Sequence, residues 1–390
     1  MPRLYDDSTT SIVATILREG PISRAELSRR LNLSGATVTR LVRPLVEAGL
    51  VNDEAIGSPR DGIGRPTQLL EVPSNKPHFM GVNIAVENGT LSAVATDVLG
   101  RVQQSFSEKI KDTTPEALSS QIAATIRHIE ALSSDSQGEV AGTCVSISGA
   151  VKDGFVLRNH ALDWDLVNLA QMVESRAGRP VLVANDLAAL TVLEQWFGLG
   201  RTEQNFVVCS IGAGIGHGLV QNSRLVAGSS ERLGPTQHMP LGGGRGLCNL
   251  GHVGCAAGSL TTSAVLSRAL AGRNTTAYQL EGLDDLIALA DQGDRPAQTA
   301  IRELVSQLAV YINTISSVAI ARDIVLDGEG VALLKTPWAE GFQAEIESHS
   351  SPWSPTPVIH LRSGTFERWA QGSAVTAMVH WLEDAVASLP

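Results

Sequence analysis

Residues Ser23 to Val51 admit few folds. Two short amphipathic stretches lie there, separated by a two-residue break. Ser23 and Glu26 stand three apart, so a hydroxyl and a carboxylate can cap a first helical turn reciprocally. Ala25, Leu27 and Leu31 follow at roughly helical intervals, Asn32-Leu33 interrupts them, and Ser34 stands where a second helix would be capped. In that second helix Val38, Leu41, Val42, Leu45 and Val46 fall on a single apolar face. The opposite face carries Ser34, Thr37, Thr39, Arg40 and Arg43, with no acid between Ser34 and Val46. Such a helix buries one side and offers hydroxyls and guanidiniums on the other, the mixture that phosphates and base edges require. An ordinary helical hairpin shares the amphipathic pattern, so the flanking chain decides.

Upstream, residues 8 to 19 carry Ile12, Val13, Ile16 and Leu17 on one side, a supporting helix. Downstream, Gly49 ends the second helix and the chain enters a strand. The loop GSPRDGIGRP follows, then a second strand from Thr67 to Val72. Helix-turn-helix, strand, basic loop and strand make a winged helix. Thr37, Thr39 and Arg40 are expected to read the major groove of double-stranded DNA. Ser34, Arg43, Arg60 and Arg65 would meet phosphates or the minor groove, the last two from the wing. Pro44 lies inside the second helix and is expected to kink it. One winged helix holds DNA weakly, so a homodimer or homotetramer on a palindromic operator is expected.

The net charge of −10 is at odds with nucleic acid until it is divided along the chain. Residues 1 to 72 hold nine arginines and nine acids, so the remaining 318 residues carry the whole excess. DNA binding must therefore be focused on the N-terminal face. A chain of 390 residues has room for two or three cores. No apolar run approaches membrane-spanning length and Met1 to Asp7 lacks an apolar leader, so no membrane partner and a cytoplasmic location are expected. Four cysteines do not make a disulfide framework at this size.

Pro73 to Pro77 reads as a linker. The boundaries that follow are residues 1–72 for the winged helix, 73–78 for the linker and 79–390 for an α/β body. In the body, MGVNIAV, GTLSAVATD and GRVQQSFSEKI are three strand-like runs, followed by a helix from Thr114 to Leu132 and a buried strand from Val140 to Ile147. A helix over Asp165 to Arg176, a strand over Pro180 to Ala184 and a helix over Asp186 to Phe197 come next. A second meander covers Asn205 to Ala227. Helices over Leu260–Leu270, Leu283–Ala290 and Pro296–Ala321, a strand from Asp323 and a closing helix over Phe366–Ser388 complete the chain. The order predicts two similar α/β halves with a cleft between them.

The chain resembles the ROK family of repressors and sugar kinases, whose body is a two-lobed actin-like ATPase fold. The order of winged helix, linker and α/β body carries the resemblance, together with four motifs. Asn159 to Trp164 is similar to the family's Asn-Leu-Pro-Gly-Trp region. Val181 to Asp186 is similar to its strand ending in Asn-Asp, Ile211 to Gly218 to its second phosphate loop, and His238 with Cys248 and Cys255 to its zinc and sugar segment. The resemblance implies a regulator, expected to be a repressor of sugar-related genes, controlled by a sugar or sugar derivative in a degenerate kinase cleft. Asn185, Asp186 and His238 would bind that ligand, although Asn-Asp between a strand and a helix also reads as a plain cap.

The departures weigh against a kinase. The family's Asp-x-Gly-Gly-Thr is Asn83-Ile84-Ala85-Val86-Glu87 here, both glycines are gone, and a carboxylate stands where threonine would meet phosphate. At close range that repulsion costs roughly 1–4 kcal/mol before hydration. Ala213 replaces the usual Thr of the second loop, and Asp327 and Glu329 occupy the region of the adenosine loop. ATP is therefore not an expected cofactor. Pro235, Gln237 and Ala257 replace a Glu, a Gly and a Glu of the sugar segment. The zinc pattern lacks its middle cysteine, which is Leu250, but His252 could complete a set of His238, Cys248, His252 and Cys255. The alternative there is a metal-free loop with two free thiols. Two competing functions stay open: a sugar kinase with a DNA-binding appendage, and a ligand-independent DNA-binding protein whose body serves oligomerisation.

Overall fold

The computed structural model describes residues 8–55, 68–73, 77–133, 139–226, 234–244, 246–273, 280–350, 353, 355–362 and 364–389. Helix α1 (Ser8–Glu19), strand β1 (Ile22–Ser23), helices α2 (Arg24–Arg30) and α3 (Gly35–Glu47), and strands β2 (Asn52–Ala55) and β3 (Gln68–Glu71) form the N-terminal unit. The two caps expected from the spacing are made: Ser23 Oγ accepts from the Glu26 N–H at 3.2 Å and Ser34 Oγ from the Thr37 N–H at 3.1 Å. Asn32 takes the left-handed backbone of the intervening turn, φ 52°, which a short amide side chain tolerates. Leu27, Val38, Val42 and Leu45 are fully buried with Ile12, Val13 and Ile16 of α1. Helix α3 runs through Pro44 as a single element. The three strands pair in the order β1-β3-β2, and a two-pronged Arg24–Asp53 ion pair, at 3.0 and 2.7 Å, ties α2 to β2. The Arg24 hydrogen bonds hold the Asp53 carboxyl below its ordinary value. Arg60 and Arg65 lie outside the described residues.

The body repeats one topology twice. Strands β4 (His78–Ala85), β5 (Thr90–Thr96) and β6 (Val102–Lys109) form an antiparallel meander, to which β7 (Val140–Ile147) and β11 (Leu182–Asn185) add in parallel, giving the order β11-β7-β4-β5-β6. Strands β12 (Phe206–Ile211), β13 (Ile215–Gln221) and β14 (Arg224–Leu225) form the second meander. With β15 (Asp323–Asp327) and β16 (Val358–Leu361) they give β14-β13-β12-β15-β16. Helices α4 (Pro115–Ser133) and α5 (Leu169–Ala177) cover one face of the first sheet. On its other face lie α6 (Asp186–Phe197) and the closing helix α12 (Phe366–Ala387). The second lobe is built around α10 (Arg295–Ala319), with α7 (Ala256–Leu260), α8 (Thr262–Leu270), α9 (Leu283–Asp291) and α11 (Phe342–His349). Strand β4 and α12 approach so closely that a Cβ on Gly81 would lie 2.0 Å from the Ala370 carbonyl oxygen.

Two expectations need correction. The helix read over Asp165 to Arg176 begins only at Leu169, because Trp164–Val167 is strand β10 of a small sheet with β8 (Ala150–Lys152) and β9 (Phe155–Asn159). Trp164 explains the change: it is buried and its Nε1 donates to the Thr113 carbonyl at 3.0 Å. Strand β16 and helix α11 carried no signal strong enough to read, and their pairing comes from long-range contacts. Among the described residues no helix is long and apolar enough to cross a membrane.

Candidate functional site

Three groupings of residues have chemistry beyond packing. The first is the outer face of α3. Ser34, Thr39, Arg40 and Arg43 are exposed and Thr37 is half-buried. Thr39 Oγ1 donates to the Gly35 carbonyl and Ser34 shares a hydroxyl contact with Thr37 at 2.8 Å, so the N-terminal turn is rigid. Arg43 pairs with Glu47 at 2.7 Å, whereas Arg40 has no ion-pair partner among the described residues. A free guanidinium beside ordered hydroxyls is suited to the edge of a guanine or to a phosphate.

The second is the cleft between the lobes, a cavity of about 150 Å³. From the first lobe come Asn83 and Glu87 at the end of β4, and Asn185 and Asp186 where β11 turns into α6. The second lobe supplies the β12–β13 turn, Gln237 and Glu329, and Trp369 comes from α12. Asn185 caps α6: its Oδ1 accepts from the Ala188 N–H and its Nδ2 donates to the Gly149 carbonyl, both at 3.0 Å. The structural role foreseen for it is therefore made. Asp186 accepts from the Leu187 N–H at 2.8 Å, and its carboxyl is pushed up to about 7, first by burial and also by the charge of Glu87. His238 is not among the residues lining the cleft; its neighbour Gln237 is.

The β12–β13 turn is the segment that resembled a phosphate loop, and a carboxylate already occupies it. Glu329 accepts a hydrogen bond from the Ala213 N–H, and a Cβ on Gly212 would lie 2.2–2.4 Å from its carboxylate atoms. Burial first, then Glu87, raises the Glu329 carboxyl. Asp327, the other acid of that segment, is spent on structure. It accepts from the Gly328 and Gly364 N–H groups and pairs with Arg368 at 3.0 Å.

The third is the group His238, Cys248, His252 and Cys255, whose ligand atoms all lie within 4.8 Å of one another. His238 Nδ1 is 3.6 Å from Cys248 Sγ and 3.8 Å from Cys255 Sγ. A tetrahedral zinc ion with bonds of about 2.3 Å to sulfur and 2.0–2.1 Å to nitrogen sets such pairs about 3.5–3.6 Å apart. The donor set therefore fits zinc in both chemistry and spacing. The backbone holds His252 beside Cys248, since the Cys248 N–H donates to the His252 carbonyl at 3.0 Å. Burial raises the Cys248 thiol, but backbone N–H groups of Leu250 and His252 outweigh it and hold the thiol below its ordinary value. Burial, then the neighbouring Cys248, pushes Cys255 up.

The N-terminal unit and the body also touch. The Arg18 guanidinium of α1 lies 4.9 Å from the ring centroid of Trp196, the penultimate residue of α6. Sequence reasoning did not foresee this contact, nor that Glu329 and Gln237, both noted as departures, would line the cleft. Each depends on where distant segments meet.

A profile described as the ROK family matches residues 83–368, and one described as winged helix-turn-helix DNA-binding matches residues 5–52. The chain is 28% identical over 336 residues to a putative xylose repressor of Caldicellulosiruptor sp., covering 83% of each chain. In fold it is similar to a ROK family transcriptional regulator described as a homologue of the E. coli MLC protein, with TM-score 0.75, 22% identity and 96% of each chain covered. It is also similar to a ROK family glucokinase from Streptomyces griseus, solved with glucose and AMPPNP, with TM-score 0.63 and 23% identity. That match covers 77% of this chain and 99% of the kinase.

Proposed function

The chain belongs to the ROK family, and from that premise we propose that it is a DNA-binding, sugar-responsive transcriptional regulator acting as a repressor. The observation that carries this reading is the combination of a winged helix with a nucleotide loop filled by the chain's own Glu329. Ser34, Thr37, Thr39, Arg40 and Arg43 of α3 contact DNA, Arg60 and Arg65 follow from the wing, and Asp186 contacts the effector. The winged helix, linker and body divide at residues 1–72, 73–78 and 79–390. The acidic body keeps DNA on the N-terminal face, and a homodimer or homotetramer supplies the second recognition helix that a palindromic operator needs. Soluble cytoplasmic residence follows from that role.

Coupling between effector and DNA has a physical route. Helix α6 begins at Asp186 in the cleft and carries Trp196, one residue before its end, against the Arg18 guanidinium. A shift of α6 on ligand binding would be delivered to α1, which supports the recognition helix, so two arrangements of this rigid element bias DNA affinity.

The enzymatic alternative makes a different prediction. Incubation with labelled ATP and a panel of hexoses is expected to give no phosphate transfer. Transfer to any of them would overturn the regulator-only reading.

His238, Cys248, His252 and Cys255 would hold zinc as a structural ion, fixing the segment that places Gln237 at the cleft. Metal analysis of the purified chain is expected to return one zinc per chain, falling to near zero in Cys255→Ser. No zinc in the parent chain would dispose of the four-ligand set.

A further inference from the structure

We propose that the cleft takes an effector with a protonated amine on a polyhydroxyl frame, a free amino sugar, and turns away phosphorylated sugars. The proposal rests on the reading of the cleft as the effector site and adds the ligand's chemical class.

Three carboxylates reach the cleft from three elements: Glu87 from the end of β4, Asp186 from the start of α6, and Glu329 from the turn after β15. Among the described residues lining it there is no lysine, arginine or histidine. The acids feel one another, since the charge of Glu87 raises both of the others. A cation placed among them relieves that repulsion through charge-assisted hydrogen bonds, and a phosphate adds to it.

The uncharged floor points to a ligand independently. Asn83 is 1% exposed and lines the cleft, yet its Oδ1 has no hydrogen-bond partner. Its Nδ2 donates to Ser146 Oγ at 3.1 Å. That leaves Oδ1 as an acceptor awaiting a donor. Trp369, 7% exposed and also lining the cleft, has an Nε1–H without a partner. Both atoms lie behind the cleft surface; sugar hydroxyls donate and accept, so one polyol that displaces the floor can serve both while its amine serves the acids. A bare divalent ion would leave the indole N–H unsatisfied.

Protonation follows the same logic. The titratable groups that share the cleft with Asp186 are Glu87, whose charge acts on it, and Glu329, and the linings from the β12–β13 turn and α12 carry none. With its carboxyl pushed up to about 7, Asp186 is largely protonated below neutrality in the free cleft. A bound cation favours its ionised form, so a proton leaves Asp186 on binding, and affinity rises with pH only until the ligand's own ammonium loses its proton.

Calorimetric titration of the full chain tests this with glucosamine, galactosamine and mannosamine, their N-acetyl and 6-phosphate forms, glucose, and magnesium alone. At least one free amine is expected to bind tenfold or more tighter than its N-acetyl form and than glucose, with no binding of the 6-phosphates. Glu87→Gln should cost that amine tenfold or more, and heats in two buffers should report proton release. Binding of glucose or a 6-phosphate as tight as any amine overturns the proposal and keeps the effector reading. Magnesium binding that is lost in Glu87→Gln, with no amine binding, also overturns it. If no sugar binds while the chain still binds DNA, both the amine proposal and the effector reading fall, and the ligand-independent regulator remains.

Discussion

Glu194→Ala is expected to destabilise the body by about 3–5 kcal/mol, the cost typical of removing one partner from a buried ion pair. Glu194 lies on α6 and its side chain is 1% exposed. Arg362, just past β16, grips it with Nε at 2.7 Å and a second guanidinium nitrogen at 2.8 Å. Arg368 of α12 reaches the same carboxylate at 2.5 Å and extends the chain of charges to Asp327 at 3.0 Å. The Leu199 N–H donates at 3.1 Å to Oε2, which also accepts from Arg362. Without Glu194, two guanidiniums at the seam of the lobes face one acid, and α6 loses its ion pair to Arg362. Burial alone would raise the Glu194 carboxyl, but the hydrogen bonds and charge of Arg362 outweigh it and hold it below its ordinary value. A depressed carboxylate contributes stability above its unfolded value, and that contribution is lost as pH falls through the folded one. The parent should therefore lose stability in strong acid where Glu194→Ala loses less. Urea unfolding at neutral and acid pH measures both, and a neutral-pH cost under about 1 kcal/mol would contradict the account.

Arg40→Ala is expected to weaken operator binding by about 1–3 kcal/mol per subunit, roughly five- to 150-fold, and to relax base preference at one position of each half-site. The expectation follows from contrast with its neighbour. Arg43 is an exposed residue already paired with Glu47, so its loss should weaken binding evenly across sequences and reduce the salt slope. Arg40 is exposed and carries no such pairing among the described residues. Pro44 adds a backbone feature: it has no N–H for the Arg40 carbonyl, four residues back, so one helical hydrogen bond is missing there while Val38, Val42 and Leu45 stay buried around it. Neither substitution touches the core, so circular dichroism and unfolding should match the parent.

Much of this was legible in the sequence, and the division is physical. The helix-turn-helix could be read because its signals are local: Ser23 and Ser34 at cap spacing and Val38, Val42 and Leu45 at helical spacing. The two meanders, α6 and α10 were similarly plain from runs of apolar residues. The four-residue metal group was legible through the family resemblance, whose zinc pattern Cys248 and Cys255 match, with His252 standing two residues after the missing cysteine. What failed was everything decided by contacts between distant segments. Glu329 read as one acid in a turn, yet it answers the Ala213 N–H across 116 residues. The Glu194–Arg362–Arg368 cluster joins residues 168 and 174 apart. The Asp165–Arg176 stretch read as one helix because nothing local signals that Trp164 leads a strand and anchors to Thr113. His238 was expected at two sites; its ring turns to the cysteines, and Gln237 faces the cleft instead.

The central claim is that α3 reads DNA sequence as the output of this molecule. Selection of bound sites from a pool of random duplexes, run with the parent chain and with Arg40→Ala, tests it most directly. The account predicts that the parent enriches an inverted repeat and that Arg40→Ala loses enrichment at one symmetric position of it. A parent chain that enriches no sequence, or a variant that enriches the same repeat as strongly, would contradict it.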